Sequence, residues 1–108
     1  MMRLEAVCLL FTDLDPVELA DWVAQGWVRA EPDGDALVFQ AIDVARVRLV
    51  HDLRRAMAVD AETVGLVLAL LDQVYALRGR LGALSAALAD QPEMVRAAVL
   101  DAMARRGG

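Results

Sequence analysis

Across residues 60–89 the apolar positions recur at helical spacing and no proline interrupts them. Val67, Leu70, Val74, Leu77, Leu81, Leu84 and Leu88 alternate steps of three and four, which are the a and d positions of an unbroken heptad. The pattern predicts one long helix with a seam that calls for a partner. Val64, Leu66, Leu68 and Leu71 widen the stripe in its first half, so burial against a globular head is expected there and a narrower contact further on. Asp60 is placed to cap this helix, with Glu62 in its first turn where the helix dipole favours negative charge. Gly79 and Gly82 fall at f and b positions, off the seam.

Upstream, the apolar run at residues 4–12 fits a buried strand or a short helix, and a helix is the preferred reading. Asp15 followed by Pro16 signals the start of a second helix with Val17, Leu19, Ala20, Val23 and Ala24 inside, Glu18 and Asp21 outside, and Gly26 as its stop. Residues 27–31 and 36–39 read as two short strands joined through Pro32, Asp33, Gly34 and Asp35, a small wing. From Ala41 the spacing is helical again to about Ala58, with Ile42, Val44, Ala45, Val47, Leu49, Val50, Leu53 and Met57 inward. Asp90, Gln91, Pro92 and Glu93 mark a break and restart before a last amphipathic helix carrying Met94, Val95, Ala98, Val99, Ala102 and Met103. The expected domains are a head at residues 1–71 and a helical extension at residues 72–108, packed on the head or on a second chain.

Composition sharpens this picture. The 108 residues suit one domain; 58% are hydrophobic and only 5% aromatic, so the core must be mainly aliphatic and Trp22 and Trp27 need individual explanations. Sixteen acidic residues against eleven arginines leave a net charge of -5, which disfavours nucleic acid and suits a basic partner. Cys8 is the only cysteine, which excludes an internal disulfide and a cysteine metal cluster and fits a reducing compartment. Without a recognisable signal peptide or an apolar run of about 18 residues, a soluble cytoplasmic protein is expected.

The order helix, turn, helix, two-stranded wing, helix, long helix resembles a winged helix-turn-helix head of the MerR type. The residues that carry the likeness are PVELADWVAQGWVRAEP, LVFQ, DVARVRLVHDLRRAM and ETVGLVLALLDQVYALRGRL, over roughly residues 4 to 84. Together they resemble the CbpM family of chaperone modulators. That resemblance implies a mainly α protein that binds the J-domain of a DnaJ-type (CbpA-like) co-chaperone and inhibits its action on Hsp70, without enzymatic activity or cofactor. Leu37 and Val38 stand before Phe39 where the family often has an aromatic, and the segment beyond Asp90 is additional.

The alternative is a MerR-type DNA-binding transcription regulator. A recognition helix must bring Arg, Lys, Asn or Gln to base edges and phosphates. Here that helix carries Glu18 and Asp21, preceded by Asp13 and Asp15, and no arginine lies between Arg3 and Arg29. These carboxylates repel a polyanion. The resemblance implies a basic helix on the J-domain, and against it Asp13, Asp15, Glu18 and Asp21, helped by Trp22 or Trp27, form the candidate partner-binding set; each also has a plainer reading as cap, solvated face or core. Val74, Leu77, Leu81, Leu84 and Leu88 form a helix-packing seam or a homodimer contact. His51 has no triad serine or second metal ligand at a fitting spacing and reads as a structural or surface residue. Arg46, Arg48, Arg54 and Arg55 read as the solvated side of their helix, paired with Asp43, Asp52 and other acids, rather than as a phosphate patch. No Gly-rich phosphate loop, metal motif or nucleophile elbow is present.

Overall fold

Local signals start and stop most of the elements. The computed structural model describes residues 1–107. Along it run β1 (Met2–Arg3), α1 (Leu4–Cys8), α2 (Pro16–Ala24), β2 (Glu31–Asp33), β3 (Ala36–Phe39), α3 (Ala41–Arg54), α4 (Ala61–Ala89) and α5 (Glu93–Arg105). The chain is therefore mainly helical, with one small antiparallel sheet in the order β1-β3-β2. No helix among the described residues is long and apolar enough to cross a membrane.

The caps explain the boundaries. The Glu18 amide donates to Asp15 Oδ1 at 2.8 Å and Pro16 occupies the first turn of α2, where its missing N–H is no loss. At the other end Gly26, at φ +80°, lets its amide reach the Val23 carbonyl and the Trp27 amide reach the Trp22 carbonyl, both at 3.0 Å. This is the paired arrangement that satisfies the last carbonyls of a helix. α3 begins with a capping box, in which the Gln40 amide donates to Asp43 Oδ2 at 3.0 Å. α4 begins with the Thr63 amide on Asp60 Oδ1 at 2.8 Å. Between β2 and β3 only Gly34 and Asp35 remain outside the ladder, and Gly34 supplies the positive φ of +63° that a two-residue hairpin turn needs.

Two compact units result, Met1–Ala69 and Leu70–Gly108, with α4 continuous through the boundary. In the first, Val7, Leu19, Phe39, Val47, Val50 and Val64 are fully buried, joined by Trp22, Val28 and Leu68. In the second, no side chain is buried among the described residues.

Several expectations are corrected. The wing has a third strand: Met2 pairs with Phe39 and Arg3 with Val38, a pairing between distant segments too short for any periodicity to announce. The second strand lies at Glu31–Asp33 rather than residues 27–31, because the chain leaving Gly26 needs residues 27–30 to turn back and bury Val28. α1 stops at Cys8, four residues before the expected end at residue 12. Beyond it the Leu10 and Phe11 amides reach back three residues, to Val7 and Cys8, and this tighter path buries Phe11 and Leu14. α3 ends at Arg54, and Ile42 and Met57 are exposed while Val47, Val50 and Leu53 carry its buried stripe. On α2 the inner face is Leu19, Trp22 and Val23; Val17, Ala20 and Ala24, expected inside, point to solvent.

Candidate functional site

Shifting the inner face of α2 to Leu19 and Trp22 leaves Val17, Ala20, Asp21 and Ala24 exposed along one stripe, at steps of three, one and three. Val17 is 80% exposed. The resulting stripe is built of small and apolar side chains with one carboxylate. Small residues let the backbone of another helix approach closely.

The four acidic residues divide by role. Asp15 spends one oxygen on the α2 cap. Glu18 is held by Arg55 from the end of α3: Nη2 reaches Oε1 at 2.5 Å and Nη1 reaches Oε2 at 3.2 Å, a forked pair with both side chains about one-third exposed. The same Arg55 Nη2 donates to the Asp13 carbonyl at 2.8 Å, and the hydrogen bond to Glu18 raises the guanidinium further above its ordinary value. One arginine thus ties the α1–α2 connection, α2 and α3 together. Asp13 takes a left-handed backbone at φ +59°, which aspartate tolerates better than most residues, and its side chain remains exposed, as does that of Asp21.

Behind this surface the connection between α1 and α2 is fastened to α3. His51 Nε2 donates to the Thr12 carbonyl at 2.7 Å; a carbonyl only accepts, so Nε2 carries the proton. The His51 ring lies 5.3 Å from that of Phe11, and the Arg48 guanidinium sits 5.0 Å over the same Phe11 ring. Arg46 Nε donates to the Trp27 carbonyl at 3.0 Å and Arg54 Nη1 to the Val59 carbonyl at 2.9 Å. The α3 arginines are therefore stays for the loops around the helix and do not form a free phosphate-binding patch. Arg48 and Arg55 are exposed, as expected of the solvated side, and Arg55 pairs with an acid, Glu18, while Arg46 and Arg54 also reach backbone carbonyls.

The two tryptophans part company. Trp22 is 2% exposed and belongs to the core, so it offers no surface to a partner. Trp27 is half-buried, with its indole nitrogen 3.7 Å from where a side chain on Gly65 of α4 would begin, so its ring edge rests on that bare backbone. Its remaining surface is open. Cys8 is buried and its thiol is pushed up, first by desolvation and then by the charges of Asp15 and Glu5, so it is poorly suited to nucleophilic work.

An open cleft of about 550 Å³ lies where the end of α2, the following loop and the start of α3 meet. Val23, Val28 and Ile42 contribute apolar lining, and Arg29, Glu31 and Asp43 contribute charge of both signs. None of these was assigned to a cleft from sequence, because it joins residues from three separated segments. The predicted seam is exposed: Val74, Leu77, Leu81 and Leu84 keep 41–65% of their surface, and Leu88 is half-buried. Among the described residues no three histidine, cysteine or carboxylate side chains converge as metal ligands. No protein-family model, curated protein or solved structure matches this chain.

Proposed function

We propose that this chain is a non-enzymatic chaperone modulator of the CbpM kind, with a MerR-like winged head, and that it binds the J-domain of a DnaJ-type (CbpA-like) co-chaperone and restrains its action on Hsp70. The observation that carries the proposal is the exposed stripe of α2. It presents Val17, Ala20, Asp21 and Ala24 with no arginine, lysine or amide side chain, a surface suited to a basic helix and unsuited to a DNA groove. Charge supports the same choice: within Met1–Ala69 twelve acidic residues face six arginines, and Arg55 is already engaged by Glu18. Opposite charge of this kind speeds encounter and sets specificity more than it adds affinity.

Titration calorimetry of the full chain against a purified J-domain co-chaperone tests this reading. Asp21→Arg is the informative variant, because the exposed Asp21 carboxylate makes no hydrogen bond or ion pair among the described residues, whereas changing Glu18 also releases Arg55. Binding should weaken about tenfold or more, the equivalent of one lost charge-assisted contact. Unchanged affinity at low salt would remove α2 from the interface, and absence of any binding by the unaltered chain would reject the function. A mobility shift with genomic DNA fragments would instead favour a MerR-type transcription regulator.

A further inference from the structure

The connection between α1 and α2 carries a reactive group that the proposed function leaves unused. Thr12, Thr63 and Ser85 are the only aliphatic hydroxyls in the chain, and they stand in three different settings. Thr63 lies in the first turn of α4, where its amide and hydroxyl both serve the Asp60 carboxylate. Ser85 lies well inside α4, on backbone locked in helix. Thr12 alone is outside helix and strand; it is exposed, and its hydroxyl makes no hydrogen bond among the described residues.

Side chains from one face of α3 close on this segment. Arg48, His51 and Arg55 follow steps of three and four. The Arg48 guanidinium sits 5.0 Å over the Phe11 ring, His51 Nε2 donates to the Thr12 carbonyl at 2.7 Å, and Arg55 Nη2 donates to the Asp13 carbonyl at 2.8 Å. Thr12 is therefore flanked by one guanidinium at the residue before it and another at the residue after it. Arg55 is shared with Glu18, whereas Arg48 makes no hydrogen bond or ion pair among the described residues.

We infer that Thr12 is a phosphorylation site whose phosphate is received by Arg48 and Arg55. A protein kinase supplies the γ-phosphoryl group of a nucleoside triphosphate. The bond from Thr12 Oγ1 to phosphorus forms, the bond to the β-phosphate oxygen breaks, the nucleoside diphosphate leaves, and the hydroxyl proton passes to the kinase's base. Asp13 and Asp15, one and three positions on, suit a kinase with a basic substrate groove. The same acids, with Asp52 on α3, oppose the new charge, but they do so through solvent, whereas a guanidinium grips phosphate directly with paired, charge-assisted hydrogen bonds. The α3 arginines form no patch for a free anion. A phosphate borne by the chain itself is delivered between two of them without the cost of capturing a second molecule.

A casein-type acidophilic protein kinase with magnesium and ATP tests the acceptor. Mass spectrometry of the full chain should find one phosphate, on Thr12, and none on Thr12→Val, which keeps the shape and lacks the hydroxyl. Phosphate on Thr63 or Ser85 instead, or no phosphate, overturns the site. Melting followed by tryptophan fluorescence tests the receiving side chains. Phosphorylation should raise the melting temperature by several degrees, and most of that gain should be lost in Arg48→Ala measured against its own unmodified form. In phosphorus NMR the second pKa of the phosphate should lie below its ordinary value of about 6 and move back up in Arg48→Ala. A melting temperature that does not rise, or a titration that Arg48→Ala leaves unmoved, overturns the role of Arg48.

Discussion

Ala58 is held at φ +52°, in the left-handed region, just after α3 and before the Asp60 cap. An alanine Cβ there crowds the following carbonyl, at a cost of roughly 1–2 kcal/mol that glycine avoids. Ala58→Gly should therefore raise the stability of the head by about 1 kcal/mol once the extra freedom of the unfolded glycine is offset, and thermal melting followed by fluorescence would read this as a rise of several degrees. A lower melting temperature would mean that the methyl group packs usefully. At this scale the sequence is legible where partners are neighbours. Asp15, Pro16, Gly26 and Asp60 announce their roles because each acts within about one helical turn. Arg55 does not, because Glu18 and Asp13 lie 37 and 42 positions away and only the fold brings them to its guanidinium.

α4 shows one continuous helix doing two different things. Leu68, in its first third, is 3% exposed, whereas Leu81 is 62% exposed. Leu68→Ala is expected to cost the head about 2–5 kcal/mol by chemical denaturation, and Leu81→Ala to leave the head's transition in place. Equal losses from both would contradict this division. The start of the same helix carries a pH dependence. The Thr63 amide, first among several contacts, holds the Asp60 carboxyl below its ordinary value. A depressed carboxyl contributes stability that is complete above the unfolded pKa and disappears as pH falls through the folded one. Helicity should thus decline as pH drops from about 4 toward lower values, and Asp60→Asn, which keeps the cap without titrating, should lessen that decline. Circular dichroism of the two proteins side by side decides it; identical acid limbs would remove Asp60 from the account.

Taken as a whole, the molecule divides its charge as sharply as its burial. Met1–Ala69 holds twelve acidic residues and six arginines, and Leu70–Gly108 holds four and five. Both tryptophans belong to the first unit, so tryptophan fluorescence follows the head alone, while far-ultraviolet dichroism follows the helices of both. With no buried side chain among its described residues, the second unit should lose dichroism at a lower temperature than the head loses its tryptophan signal. Coincident transitions would show that the two units unfold together.

The sequence by itself determined the helix starts, the hairpin turn, the length of α4 and the acidic balance, because these depend on backbone preferences and charges that act within a few residues. Tertiary structure alone decided the rest. It recruited Met2–Arg3 as a third strand, rotated α2 so that Trp22 is core and Val17 surface, and set Arg55 against Glu18. A helix with apolar residues around much of its circumference does not specify which of them faces inward. The neighbours it packs against make that choice, and at α2 they buried Leu19 and Trp22 and left the stripe from Val17 to Ala24 free.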